Sequence, residues 1–160
     1  MEAITYKPIG VIRTPFTNTE GTPIQPPGGQ EVLGTIELEP GYQEGLTDLD
    51  GFSHIILIYH FHQSRDYSLQ VKPFLDSQSR GVFATRAPNR PNPIGLSIVT
   101  LEKIKGNRIT ISNVDNLDGR PLLDIKPYIP GFDPKGQIRI GWIEGKSDQA
   151  TSKRADERFD

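Results

Sequence analysis

No cysteine occurs anywhere in the 160 residues. That excludes a disulfide framework and a thiolate metal site, and it makes a reducing cytoplasm the expected setting. No apolar run is long enough to cross a bilayer as a helix, and the N-terminal MEAITYKPIG lacks the apolar segment of a signal peptide, so no membrane partner is expected. The chain has no G-x-x-x-x-G-K-[ST] phosphate loop, no G-x-G-x-x-G after a strand and no G-x-S-x-G elbow. A P-loop, a Rossmann nucleotide site and an α/β-hydrolase nucleophile are thereby left without support. A formal net charge of −2 gives no bulk attraction to nucleic acid.

What the chain has is punctuation. Sixteen glycines and fourteen prolines argue against long helices, because both residues break helix interiors. With 34% hydrophobic and 24% charged residues the chain is globular rather than disordered, and its length suits one domain. Strands are expected at Tyr6–Arg13, Gly34–Leu38, His54–His62, Gly81–Thr85, Leu122–Ile129 and Gln137–Ile143, and a hairpin pairs Ile98–Ile104 with Arg108–Asn113 around Gly106-Asn107. His54–His62 reads as a central strand, buried on both faces at its start. Gly41–Leu49 suits one or two helical turns, and Thr14–Gln30 a long polar loop. The predicted fold is mainly β: a small closed or partly closed barrel with short helical turns, not Rossmann, over residues 1–144, with the polar residues 145–160 fraying as a tail.

Charge is distributed unevenly. Glu31, Glu37, Glu39, Glu44, Asp48 and Asp50 fall in a stretch without a base, whereas Arg80, Arg86 and Arg90 fall in one without an acid. The densest motif is Thr85-Arg-Ala-Pro-Asn-Arg-Pro-Asn-Pro-Ile-Gly-Leu-Ser97. Its prolines fix φ and push Ala87, Arg90 and Asn92 out of the helical region, giving a stiff extended loop. Arg86 and Arg90 can then grip carboxylate or phosphate with little entropy loss, and Asn89 and Asn92 add donors and acceptors suited to a base edge. The alternative is a structural crossover whose arginines satisfy local carbonyls.

A second motif runs from Asp115-Asn-Leu-Asp-Gly-Arg-Pro121 into Asp124-Ile-Lys-Pro-Tyr128. Its acids suit ribose hydroxyls or an ammonium group, or else a turn and strand-edge charges. His60 and His62 stand two apart, too few to close a metal site without cysteine, so no metal is expected. A histidine at the strand end, lining a pocket with Gln63 and Ser64, is the favoured reading.

These residues carry a resemblance. Gly51-Phe-Ser-His54, Gly81-Val-Phe-Ala-Thr-Arg86, Arg90-Pro-Asn-Pro-Ile-Gly-Leu-Ser97, Asp115-x-Leu-Asp-Gly-x-Pro121 and Asp124-Ile-Lys-Pro-Tyr128 together resemble the TsaA-like, or TrmO, family over about Tyr6 to Tyr128. The resemblance implies a β-barrel that binds S-adenosylmethionine without a Rossmann fold, usually as a homodimer. It also implies methylation of N6 of threonylcarbamoyladenosine beside the anticodon of tRNA. Carried over by motif, cofactor contacts are expected at Ile24, Gln25, Pro26, His62, Gln63, Ser64, Arg86, Leu96, Asp115, Asn116, Leu117, Asp118 and Gly119. Substrate contacts are expected at Arg90, Asn92, Lys126 and Tyr128. No catalytic residue stands out, Asp118 being the candidate for a base. Ile24 stands where bacterial members often have Arg, Arg120 where Thr is common, and the chain ends soon after the barrel. The rival reading is a non-catalytic barrel that holds RNA or a nucleotide.

Overall fold

The computed structural model describes residues 1–24 and 31–156. Six strands close into an antiparallel barrel in the order β1 (Gly10–Arg13), β2 (Leu33–Leu38), β7 (Arg108–Ser112), β6 (Ile94–Lys105), β3 (His54–His60) and β8 (Arg120–Pro127). The ring closes where β1 meets β8, with Gly10 opposite Leu122 and Ile12 opposite Arg120. A small outlying pair, β4 (Gln70–Val71) and β5 (Arg80–Gly81), lies outside the ring.

Period-two alternation decides what fills the barrel. Ile55, Leu57 and Tyr59 of β3 point inward and meet Ile12, Ile36, Val99, Ile109, Ile111 and Leu122, all fully or almost fully buried. The residues between them on β3 are only partly covered. The strand is therefore buried on one face rather than both, because a barrel has a packed inside and an outside that meets solvent or loops. It stops at His60 instead of His62: the Phe61 amide donates to the Pro93 carbonyl (2.7 Å) and the Ser64 amide turns back to Phe61 (3.0 Å).

The hairpin at Gly106-Asn107 is present, with Gly106 at φ 61°. A positive φ at the first turn residue matches the twist of the flanking strands. The long strand β6 carries a register shift between Leu101 and Lys103. This bulge lets both Leu101 and Ile104 pack against the core although they stand three apart.

Other expected strands differ as well, β8 running over Arg120–Pro127 rather than Leu122–Ile129. β1 begins only at Gly10. Only Arg80 and Gly81 pair as a strand in the Gly81–Thr85 region. Val82–Ala84 coils into a 3-10 turn, sealed by the Thr85 hydroxyl on the Val82 carbonyl (2.8 Å). Gln137–Ile143 forms no strand. The six-stranded ring leaves no free edge for it, Ile138 and Ile140 remain exposed, and Gly141–Ile143 makes a 3-10 turn. Conversely, Ile94-Gly-Leu-Ser97 belongs to β6, so the stiff loop ends at Pro93. Pro40–Leu46 and Leu49–Gly51 supply the helical turns expected near Gly41–Leu49.

Of the polar segment from Gly145, residues 157–160 lie outside the described residues, and the rest makes local contacts. Ser147–Thr151 forms a 3-10 turn, Arg154 pairs with Pro23, and the Gly21 amide donates to the Ala155 carbonyl (3.0 Å) while the Ala155 amide donates to Thr22 (2.8 Å). No helix among the described residues is long and apolar enough to cross a membrane.

Candidate cofactor groove

A groove of about 1780 Å³ opens at the end of the barrel where β3 finishes and β6 and β8 begin. It gathers residues far apart in the chain: Ile24 from the first loop, His62, Gln63 and Ser64 after β3, Arg86, Arg90 and Asn92 from the Pro-rich loop, Leu96 on β6, and Asp115 and Leu117 before β8. Ten of the expected contact residues thus line one space. Gln25 and Pro26 lie outside the described residues.

The remaining expected residues are placed elsewhere. Asn116 is fully buried, its side chain against the Tyr59 hydroxyl. Asp118 accepts from the Thr14 amide (3.1 Å) and lies 3.6 Å from the Arg13 guanidinium. Its carboxylate thereby holds the exit of β1, outside the groove lining. Gly119 takes φ 78°, the left-handed turn that feeds β8. Lys126 and Tyr128 fall at the opposite end of β8. There Lys126 pairs with Asp124 (2.7 Å), and Tyr128 donates to Asp133 (2.8 Å) while its ring meets His54 edge-on.

The groove floor is a polar network held by apolar walls. The Tyr59 and Ser97 hydroxyls lie 2.9 Å apart, and the Ser97 hydroxyl donates to Asp115 Oδ1 (2.7 Å). Burial pushes the Asp115 carboxyl up to about 6, against the pull of Ser97 and of Arg120. Burial, reinforced by the Asp115 charge, likewise pushes Tyr59 up to about 12. Arg120 completes the floor. Its guanidinium lies 5.0 Å from the Tyr59 ring centre and 4.6 Å from that of Phe61, a cation–π arrangement. Burial, then the Arg120 cation, pushes His62 below its usual range.

The Pro-rich loop forms one wall. Arg90 donates to the carbonyls of Thr85 (3.2 Å) and Ala87 (3.3 Å), so it braces the loop from within. The Ser64 hydroxyl reaches Asn89 (3.0 Å) and ties the loop to the turn after β3. A second wall comes from Ile140, Trp142, Ile143, Ser147 and Ala150, whose composition suggests a strand and a tail. Trp142 Nε1 donates to the Ala84 carbonyl (2.7 Å), and Lys146 and Arg80 share the Asp76 carboxylate at 3.2 and 2.6 Å. The Arg80 guanidinium holds that carboxyl well below the usual carboxylate range. A single Trp in the chain, beside Gly141 and Gly145, was the available signal for this wall.

A small antiparallel barrel with a mixed aromatic, acidic and cationic groove at one mouth defines a ligand-binding barrel of non-Rossmann type. Residues 11–134 match the model of the tRNA-methyltransferase O N-terminal domain. The chain belongs to this TrmO family. It is 51% identical over 98% of its length to a probable S-adenosyl-L-methionine-binding protein of Pyrococcus abyssi, of which it covers 85%. It is 37% identical over 84% of its length to the tRNA (adenine(37)-N6)-methyltransferase of Mus musculus, of which it covers 33%. A crystal structure of TrmO from Pseudomonas aeruginosa superposes with a TM-score of 0.74 at 41% identity, covering 88% of this chain and 62% of that one.

The floor residues fit the cofactor those relatives are named for. S-adenosylmethionine presents an aromatic base, a sulfonium, an ammonium and a carboxylate. The groove presents the exposed Phe83 ring, a carboxylate at Asp115 and a cation at Arg120.

Proposed function

We propose that the chain transfers a methyl group from S-adenosylmethionine to N6 of threonylcarbamoyladenosine next to the anticodon of tRNA. The observation that carries this reading is the convergence of ten motif residues on one groove whose floor joins Asp115, Ser97, Tyr59 and Arg120. Held in the groove, the cofactor would supply an electrophilic methyl carbon on sulfur; transfer to N6 would leave S-adenosylhomocysteine and release the N6 proton to a base or to water.

This chain's residues have the task of positioning and drying that encounter. The positive charge on sulfur disappears during transfer, so orientation and exclusion of water can supply most of the rate. The Pro-stiffened loop, braced by Arg90, holds Arg86 and Asn92 at the groove rim with little further ordering on binding. Asp115 presents a carboxylate to the cationic part of the cofactor. Asp118 is engaged with Thr14 and Arg13 while its charge acts on His62 of the groove, and it is the candidate for the base that takes the N6 proton.

Lys126 and Tyr128 stand at the other end of β8 from the groove, so one protomer cannot offer them to a base bound there. A homodimer in which the partner contributes that end of its barrel reconciles the two groups. The anticodon base is single-stranded and can be splayed into such a shared cleft.

The test is incubation with methyl-labelled S-adenosylmethionine and tRNA either bearing or lacking the threonylcarbamoyl group. Label on N6 of the modified base alone is the expected result. Label on neither tRNA, with the nucleotide still bound, would decide for a non-catalytic binding module.

A further inference from the structure

Arg120 poses a problem that the barrel itself solves only in part. Its guanidinium lines the groove and hydrogen-bonds Tyr59, but among the described residues its buried Nε has no hydrogen-bond partner and no carboxylate forms an ion pair with it. The Tyr59 and Phe61 rings fix its plane at 5.0 and 4.6 Å. A guanidinium taken out of water needs an anion or a full set of acceptors. Asp115, whose charge acts on Arg120, accepts from Ser97 and forms no ion pair with Arg120. A groove floor that keeps a cation and an acid side by side and unpaired is suited to a ligand carrying both charges.

We propose that Arg120 is the carboxylate receptor of the groove, gripping a ligand carboxylate on its groove-facing edge while Asp115 faces the ligand's ammonium group. Charge selects the ligand class. A phosphate dianion would meet Asp115 across the floor and be repelled, whereas an amino-acid zwitterion satisfies both residues at once. The arrangement favours the amino-acid end of the cofactor, so this inference rests on the cofactor reading above. The other source of the same chemistry is a carboxylate on the modified base.

The test measures binding of two neutral thioethers to wild type, Arg120→Met and Arg120→Lys. S-adenosylhomocysteine carries the amino-acid end, and 5′-methylthioadenosine lacks it. The expected result is a loss of about ten- to a hundredfold in affinity for S-adenosylhomocysteine in Arg120→Met, with 5′-methylthioadenosine bound as by wild type. Arg120→Lys should recover part of the loss, since it keeps the charge but not the planar fork. Should Arg120→Met melt early, the same ratio is read in the Lys variant.

If instead both thioethers bind unchanged and the KM for tRNA bearing the carboxylated base rises about ten- to a hundredfold, the receptor takes the substrate's carboxylate. Unchanged binding of both thioethers together with unchanged tRNA kinetics overturns the role of Arg120 alone. Wild-type protein that binds neither thioether overturns the cofactor reading, and this inference with it.

Discussion

Asp115 shows how one side chain can cost the fold. Burial, which disfavours the charged form, pushes its carboxyl up to about 6 from an ordinary value of 3.8. Between those values the folded state binds more protons than the unfolded chain. Stability therefore falls as pH rises from about 4 to about 6, and the full penalty persists above that range. With some screening at the groove mouth the penalty is roughly 2 kcal/mol. Asp115→Asn should accordingly melt higher than wild type at about pH 8, and the gap should close near pH 4. Thermal melts of both proteins at the two pH values check this, and equal melting at both would show that the ionised carboxylate is not strained. The same variant should bind S-adenosylhomocysteine more weakly, a trade of function for stability.

At the scale of elements, the groove depends on close approaches that single residues permit. Gly95 on β6 faces the Tyr59 ring so closely that an added Cβ would lie 2.2 Å from it and 2.9 Å from Phe61. Those rings carry Arg120, so an alanine must displace either the strand or the aromatic floor. Gly95→Ala should cost about 1–3 kcal/mol by overpacking, read as a lower urea midpoint with an unchanged slope; a midpoint within error of wild type would mean that the rings move freely. The C-terminal wall is fastened differently, by Trp142 on Ala84 and by Asp76 between Arg80 and Lys146. Removing the indole with Trp142→Ala takes away a hydrogen bond and the ring that lies 5.6 Å from the Arg80 guanidinium. Limited proteolysis should then cut within residues 140–156 well before the barrel, and S-adenosylhomocysteine affinity should fall. Cleavage kinetics like those of wild type would show that the wall is held by its backbone contacts to Gly21 and Thr22 alone.

For the whole molecule, the separation between the two ends of β8 makes assembly a functional question. Ile94, Leu96 and Ile98 form an exposed apolar stripe on the outer face of β6, at 41%, 47% and 36% exposure. Ile94 and Leu96 border the groove and Ile98 lies beyond it, so a partner that covers Ile98 would sit next to the site. Light scattering at micromolar concentration should report a homodimer, and Ile98→Glu, which lies outside the groove lining, should shift it to monomer and abolish methyl transfer. A monomeric variant that retains full activity would show that each barrel carries a complete site. With a net charge of −2, the proposed recognition of tRNA would rest on local cations, so activity should fall steeply with salt.

Several features were legible in the sequence because they are local. Proline and glycine density excluded long helices, Gly106-Asn107 marked its hairpin, and apolar alternation marked the strands that fill the barrel. The two long motifs also named a continuous part of the groove lining, since stiff loops beside strand ends carry their chemistry in consecutive residues. Tertiary structure alone decided the rest. The motif Asp115–Gly119 looks uniform in sequence, yet closure of the barrel sends Asp115 to the groove, buries Asn116 and turns Asp118 toward Thr14 and Arg13. Arg90 reads as a free cation until the loop folds around it. Segment 137–143 has strand-like composition, but a strand needs an unpaired edge, and whether one exists depends on the ring closing between β1 and β8. Pairings across more than a hundred residues set that closure, and no local pattern encodes it.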